Sequence, residues 1–185
     1  PLYGSIPQSL KNTMNFITNF TVPVAWRHQY CGLFWARWND CTYYFIDNEY
    51  YFHRGNLYGS YDDAERFAFF SRSVLEILPT LDFFPDIIHV NDWQSALIPT
   101  YLKTSEWDER YSNIKTILNI HNIQYQGRYG TQVIGDVLGL SPDDAKIVTY
   151  DNDCNILKGA IVTSDKIITV SPTYAEEIKT PEGGT

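Results

Sequence analysis

The stretch "KTILNIHNIQYQG", residues 115–127, decides the fold because it joins a short apolar run to a polar loop. An apolar run of this length is typical of a buried strand in a parallel sheet. The loop that follows is rich in side chains that form hydrogen bonds, and it ends at Gly127. In open α/β sheets, ligands bind beyond the carboxyl ends of the strands. The stretch therefore predicts a binding site at the tip of a strand.

Two further apolar runs lie on either side of this stretch: "PDIIHV" at residues 85–90 and "KIITV" at residues 166–170. A helix-like segment follows each of them. In the second segment, Ser171 is placed to cap the helix and Pro172 stands at its first position, which proline favours. Alternation of strand and helix predicts an α/β fold, a Rossmann-like parallel sheet with helices on both faces.

The region before these strands has a different pattern. Residues 16–52 are rich in β-branched and aromatic residues, and Asn39-Asp40 separates two of their runs. Asparagine and aspartate favour turns, so the pattern predicts an antiparallel hairpin excursion.

Two helices are predicted between the hairpin region and residue 103. In the first, Ser60 is expected to cap the helix with Asp63 in a capping-box position, and Pro79 is expected to follow its end. In the second, Pro99 is expected to introduce a kink. Apolar residues of the first helix share one face: Phe67, Phe70, Val74, Leu75 and Leu78.

Composition limits the possible partners and compartments. The 185 residues are 44% hydrophobic and carry a net charge of −8, which argues against nucleic acid or an anionic membrane as a partner. No apolar stretch approaches the length of a membrane span. The three cysteines are an odd number without metal-site spacing, which indicates reduced thiols and neither a disulfide framework nor a zinc site.

Asp92 and Trp93 stand at the tip of the first predicted strand. A carboxylate beside an indole suits sugar binding, because the carboxylate accepts from hydroxyl groups and the ring covers the apolar sugar face. An equally acceptable interpretation is that Asp92 caps the next helix and Trp93 belongs to the core.

His121 and Asn122 stand at the tip of the second predicted strand. The imidazole of His121 is suited to donate to a hydroxyl or to a carbonyl at the reacting centre. The alternative is that His121 only satisfies backbone groups of the loop. His89, in the middle of the first strand, is expected to be a core histidine. The phosphate-binding glycine motifs and the GxSxG elbow are absent from the sequence.

Four motifs in order resemble one family across nearly the whole chain. "FIDNEYYFHRGNLYG" with "YDDAERFAFFSR", "PDIIHVNDWQSALIPTYLK", "TILNIHNIQYQGRYG" and "KIITVSPTYAEEIKTPEGG" are similar to the N-terminal half of bacterial glycogen synthase and plant starch synthase. The resemblance implies that residues 1–185 are most of the N-terminal, acceptor-side domain of a GT-B glycosyltransferase. It also implies transfer of glucose from ADP-glucose or UDP-glucose to the non-reducing end of an α-1,4-glucan, with retention and without a metal or other cofactor.

The resemblance also implies roles for individual residues. His121 matches the histidine that contacts the transferred glucose, and Asp92, Trp93 and Asn122 match neighbours that line the glucose and acceptor region. Tyr58 matches a tyrosine near the same cleft. The expected partners are therefore a nucleotide-sugar donor and a glucan acceptor, and the expected compartment is the cytoplasm of a bacterium or a plastid.

The sequence departs from the family pattern in one respect. The lysine-glycine-glycine loop that contacts the donor diphosphate is not found in it. We therefore expect a fragment that is truncated at both ends, lacks the first strand of its sheet and the C-terminal domain, and is inactive by itself. Two alternatives stay open at this point: a non-catalytic carbohydrate-binding module, and a sister GT-B enzyme such as sucrose synthase.

Overall fold

A computed structural model describes residues 3–184, and its first part is an antiparallel sheet. A short helix, α1 (Gln8–Lys11), precedes this sheet. The strands follow one another in space as in sequence: β1 (Asn15–Val24), β2 (Arg27–Trp38) and β3 (Cys41–Asp47). Asn39 and Asp40 form the turn between β2 and β3 with φ of 47° and 60°. The predicted hairpin is confirmed, because asparagine and aspartate tolerate this left-handed backbone.

Helix α2 (Glu49–Phe52) leads into the longest helix, α3 (Asp63–Leu81). The predicted cap is only half formed. The Asp63 carboxylate accepts from the Ser60 amide at 3.2 Å, but the Ser60 side chain does not cap the helix. The Ser60 cap was therefore predicted wrongly, while its Asp63 half is present.

Pro79 lies inside α3 rather than beyond its end, so that prediction is wrong as well. Proline has no amide hydrogen and leaves the carbonyl four residues earlier without its helical donor. The Tyr111 hydroxyl donates to this carbonyl, that of Leu75, at 2.9 Å. A side chain distant in sequence thus lets the helix continue past the proline, and burial raises the pKa of Tyr111 to about 12.

The remaining elements alternate between strands and helices. In chain order they are β4 (Ile87–Asn91), α4 (Leu97–Thr104), β5 (Lys115–Ile120), β6 (Arg128–Tyr129), α5 (Gln132–Asp136), α6 (Ala145–Val148), β7 (Thr149–Tyr150), β8 (Asp153–Asn155), α7 (Ile156–Thr163), β9 (Lys166–Thr169) and α8 (Pro172–Glu177). Strands β6, β8 and β7 form a small antiparallel sheet.

Strands β4, β5 and β9 form the parallel sheet in that order. Val90 pairs with Leu118, and Leu118 pairs with Ile167. The predicted parallel α/β sheet is confirmed. Its burial is one-sided within residues 3–184: Leu118 is fully buried, whereas Ile87 is 54% exposed and the predicted core residue His89 is exposed. The exposure of His89 follows from strand alternation, because it points away from the face that buries Val90.

Pro99 does not need to kink α4. A 3₁₀ turn at Trp93–Ser95 precedes this helix, and Pro99 is its third residue. Amide hydrogens in the first turn have no helical partner, so a proline there removes no hydrogen bond. The predicted kink is therefore not required, because Pro99 lies where proline is compatible with a regular helix.

A buried ion pair lies in the first turn of α3, and its arginine also binds the segment before the helix. Arg66 is 2% exposed, and its guanidinium contacts the Asp63 carboxylate. It also donates to the carbonyls of Tyr51 at 2.7 Å and Leu57 at 3.2 Å. The charge is thus paired, and each of the three guanidinium nitrogens donates a hydrogen bond, as a buried guanidinium requires.

We expect Arg66→Gln to lower the free energy of unfolding by about 3–5 kcal/mol, because it leaves the Asp63 carboxylate buried and unpaired. Urea denaturation of the protein that contains this chain measures the change. Arg37→Gln is the matched control, since the Arg37 side chain is 65% exposed beside Asp40 and such pairs contribute less than about 1 kcal/mol. Equal losses in the two variants would contradict the prediction.

Asp165 connects β9 to β5. Its carboxylate accepts from the Thr116 amide at 2.8 Å and from the Thr116 hydroxyl at 3.2 Å. The backbone hydrogen bond from Thr116 is the main cause that lowers the pKa of Asp165 below its usual value. A lowered pKa in the folded state means that the stabilisation is present above the ordinary value and is lost as pH falls through the folded one.

We expect Asp165→Ala to reduce the free energy of unfolding by about 1 kcal/mol at neutral pH. The difference from wild type should shrink as the pH falls below about 4, because protonation removes the charged acceptor in the wild type. Urea denaturation at a series of pH values tests this, with Asp143→Ala as a control that removes an exposed carboxyl group. A difference between wild type and Asp165→Ala that does not change with pH would contradict it.

Candidate active site

A carboxylate and an imidazole meet at the carboxyl ends of β4 and β5. Asp92 directly follows β4, and His121 directly follows β5. Asp92 Oδ1 accepts from the His121 amide at 2.8 Å, and Asp92 Oδ2 lies 2.9 Å from His121 Nδ1. Both side chains remain accessible, since Asp92 is 27% and His121 is 47% exposed. The pair therefore has a fixed geometry and an open side.

The backbone of Asp92 adopts an unusual conformation, with φ of 54° and ψ of −172°. This region is nearly restricted to glycine, and another residue there costs about 1–3 kcal/mol. Such a conformation persists only where the surroundings hold it, and it is concentrated at functional sites. Three hydrogen bonds hold Asp92. Its backbone amide donates to the Asn119 carbonyl at 3.0 Å, and its two carboxylate oxygens contact the amide and the ring of His121.

These contacts bear on the two interpretations of Asp92 and His121. The Asp92 carboxylate does not cap the following 3₁₀ turn, so the capping interpretation is wrong. The His121 ring contacts the side chains of Asp92 and Asn119 rather than backbone groups of the loop. The geometry therefore favours a functional pair.

Two asparagines extend the pair along the strands. Asn119 Nδ2 lies 3.3 Å from His121 Nε2 and donates to Asn91 Oδ1 at 3.3 Å. Asn91 and Asn119 are register partners in the parallel ladder. The four side chains of Asn91, Asn119, His121 and Asp92 form a chain of contacts across two strand ends.

The loop after His121 is held from beneath. The Ile123 amide donates to the Tyr174 hydroxyl at 2.9 Å. Gln126 is 7% exposed. Its side chain donates to the Ile123 carbonyl at 3.0 Å and accepts from the side-chain amide of Asn155 at 2.6 Å. Because α8, β8 and the loop itself all contribute, the position of the loop depends on tertiary contacts.

Trp93 lies in the core and not in the open cleft. It is 6% exposed and packs against Phe67 and Tyr129, with ring centroids 5.0 and 6.2 Å away. A methyl group added at Gly127 would lie 2.5 Å from Trp93 Cε3. The geometry therefore favours packing over sugar stacking for Trp93, because a buried ring has no free face to offer.

Asn122 and Tyr58 take separate positions. Asn122 is exposed, and its side-chain oxygen accepts from the Gln124 amide at 3.0 Å. Part of its hydrogen-bonding capacity is therefore used within the loop. Tyr58 is 52% exposed and lines a cavity of about 510 Å³ that also includes Asn91. The cavity therefore extends from Tyr58 to Asn91 at the end of β4.

Residues 3–184 do not contain a group of three or more His, Cys, Asp or Glu side chains that would suit a metal ion. Their helices include none that is both long and apolar enough to span a membrane. All three cysteines are free, and burial raises the pKa of the Cys31 thiol to about 11 and that of the Cys154 thiol to about 12. The two buried thiols are thus protonated and poor nucleophiles at neutral pH.

The sequence did not direct attention to Asn119, Gln126 or Tyr174 as site residues. A signal was present for Asn119, because asparagine is rare in strand interiors and interrupts the apolar run "TILNI". Gln126 and Tyr174 gave no such signal, since polar and aromatic residues are ordinary in loops and short helices. They hold the loop after His121 only through tertiary contacts, which the sequence does not show.

We expect Gly127→Ala to destabilise the protein by about 1–3 kcal/mol, because the new methyl group overlaps Trp93 and the backbone φ of 64° disfavours alanine. Gly135→Ala is the matched control: a methyl group there meets no atom within 4 Å, and alanine favours helix α5. Urea denaturation followed by tryptophan fluorescence compares them. The packing described for Trp93 would be refuted if both variants were as stable as wild type.

Comparison with known proteins places this chain in a family. The family of the starch synthase catalytic domain matches residues 1–185. A glycogen synthase from Lactobacillus acidophilus is 45% identical over 188 residues, covering 100% of this chain and 39% of that protein. One from Alkaliphilus metalliredigens is 50% identical over 184 residues, covering 98% of this chain and 39% of that protein. This chain thus spans about two fifths of the length of these relatives.

A solved structure agrees with the sequence comparison. The catalytic domain of starch synthase IV from Arabidopsis thaliana, bound to ADP and acarbose, superposes with a TM-score of 0.82 at 29% identity. The match covers 92% of this chain and 36% of that one. The likeness confirms the predicted α/β fold of the GT-B class. The chain belongs to the starch synthase catalytic domain family.

Proposed function

We propose that the protein containing this chain is a retaining glucosyltransferase that moves glucose from ADP-glucose or UDP-glucose to the non-reducing end of an α-1,4-glucan. Family membership supports the reaction class. The observation that carries the proposal is the Asp92–His121 pair, which is ordered, accessible and located where α/β sheets bind ligands.

We also propose that residues 1–185 form most of the N-terminal, acceptor-side domain. The site in this chain offers hydrogen-bonding groups for a sugar, whereas the groups that would hold a nucleotide diphosphate belong elsewhere in the protein. The reaction requires both, so residues 1–185 alone are expected to be inactive. The proposed partners are therefore the donor, the glucan and a second domain of the same polypeptide.

The residues of this chain would act by positioning rather than by covalent chemistry. His121 would contact the transferred glucose, and Asp92 would keep the imidazole in one orientation. Asn122 and Tyr58 would line the glucose and acceptor region. Acceptor attack on the same face of the donor, with the departing diphosphate helping to remove the acceptor proton, requires no protein nucleophile. Fixed hydrogen-bonding groups lower such a barrier because they need no reorganisation during the reaction.

Water exclusion is the second contribution. A cleft between two domains would shield the donor from hydrolysis. The proposed reaction needs neither a metal nor another cofactor. A cytoplasmic location is proposed with it, because nucleotide sugars and reduced thiols fit that compartment.

In the full-length enzyme, we expect His121→Ala to lower kcat for glucose transfer to glycogen by about a hundredfold or more, as for a lost transition-state contact. His28→Ala is the matched control, because His28 is exposed on β2 and far along the chain from the site. Both variants are assayed with ADP-glucose and UDP-glucose. The role of His121 would be disproved by a variant with a lower Tm but an unchanged kcat.

The same assay separates the transferase from a binding module. A wild-type enzyme that elongates glycogen supports the proposal, and the ratio of kcat/KM for the two donors identifies the nucleotide. A wild-type protein that binds glucan but transfers glucose from neither donor would instead be a carbohydrate-binding protein.

A further inference from the structure

We propose that Asn119 is a positioning residue for His121, which it holds through the ring nitrogen opposite Asp92. Its role in catalysis rests on the proposed function, whereas its contact with the ring does not. Three distances carry the proposal: Asp92 Oδ2 to His121 Nδ1 at 2.9 Å, Asn119 Nδ2 to His121 Nε2 at 3.3 Å, and Asn119 Nδ2 to Asn91 Oδ1 at 3.3 Å.

The carboxylate fixes which ring nitrogen carries the hydrogen. An ionised carboxylate only accepts hydrogen bonds, so Nδ1 of His121 carries the hydrogen that Asp92 accepts. In the neutral ring, Nε2 then presents a lone pair and requires a donor. The amide nitrogen of Asn119 is that donor. The ring is thus held at both nitrogens, as a hydrogen donor on one side and an acceptor on the other.

The position of Asn119 in the sheet explains how it can serve this purpose. It lies two residues before His121 on the central strand β5, opposite Asn91 in the ladder. One amide hydrogen of Asn119 goes to Asn91 and the other to His121. Because Asn91 accepts the first hydrogen, it orients the amide group so that the second points at the imidazole.

This arrangement has a consequence for substrate binding. Nδ1 donates to Asp92 and the single lone pair of Nε2 accepts from Asn119, so both hydrogen-bonding functions of the neutral His121 ring are engaged. A sugar hydroxyl that reaches the ring must therefore donate to Nε2 in competition with the amide of Asn119. His121 would then accept from the substrate, whereas the sequence suggested that it donates.

The contacts to the ring and to its loop come from three parts of the fold. Asp92 follows β4 and supplies a charged group, and Asn119 on β5 supplies a neutral amide. Helix α8 contributes the phenol of Tyr174, which binds the loop at Ile123 rather than the ring. Asn119 is therefore the residue whose substitution alters the ring contacts without removing the Asp92 carboxylate or the Tyr174 hydroxyl.

The test compares Asn119→Thr with Asn119→Val in the full-length enzyme. Threonine and valine have nearly the same shape, and both suit a strand, but only threonine carries a hydroxyl donor on the side that faces the ring. We expect kcat for glucose transfer to be about three- to tenfold lower in the valine variant than in the threonine variant, with KM within about twofold, as for one lost hydrogen bond. A purely structural role predicts no advantage for threonine.

The second measurement does not depend on activity. Nitrogen-15 spectra of histidine-labelled enzyme, with the His121 signal identified by its loss in His121→Gln, report which ring nitrogen carries the hydrogen. We expect hydrogen on Nδ1 in the wild type, and an Nε2 signal closer to that of a free acceptor nitrogen in Asn119→Val than in Asn119→Thr. Asn19→Val, an exposed asparagine on β1, is the control and should leave the spectrum unchanged.

The outcomes separate this inference from the proposed function. The positioning role is overturned if hydrogen lies on Nε2 in the wild type, or if the valine variant agrees with the wild type in both kcat and spectrum. If the spectra behave as expected but the wild-type enzyme transfers no glucose, the contact stands and the proposed function fails.

Discussion

The parallel pairing of β5 with β4 is the constraint on which the rest of the structure depends. It places Asn91 beside Asn119, and just beyond them Asp92, one residue further on, meets His121, two residues further on. A shift of the register by one residue would turn the buried side chains of β5 toward the open face. The burial of Leu118 and Ile120 therefore fixes the site as firmly as it fixes the core. Hydrophobic packing and site geometry are two results of the same register.

Contacts with the core and the neighbouring strand also compensate for backbone strain at the site. Asp92 holds a backbone conformation that costs about 1–3 kcal/mol, and the neighbouring Asn119 carbonyl and His121 amide compensate for it. Trp93, next in sequence, is buried under Gly127 and ties the strained residue to the helices. A strained group anchored by a buried aromatic ring is pre-organised, so the protein need not reorganise it when a ligand binds.

Sequence reasoning was most successful where a local pattern has one structural outcome. The alternation of apolar runs and helices predicted the parallel sheet, and Asn39-Asp40 predicted the hairpin turn. It failed where a distant residue changed a local rule. Pro79 was expected to follow the end of α3, but the Tyr111 hydroxyl satisfies the carbonyl that the proline leaves free. Sequence patterns do not show such a partner, because it lies 36 residues from the carbonyl that it serves.

The sequence by itself determined the fold class, the family and the presence of polar residues at the strand ends, because these follow from periodicity and from local motifs. Only the tertiary structure decided which contacts those residues make. It buried Trp93, although the same residue beside Asp92 suited sugar stacking. It also directed the Asp92 carboxylate to His121 rather than to a helix cap, and it brought Asn119 to the other ring nitrogen. The physical reason is that a hydrogen bond depends on distances of a few tenths of an ångström between side chains on different strands, and these distances are fixed only when the sheet is assembled.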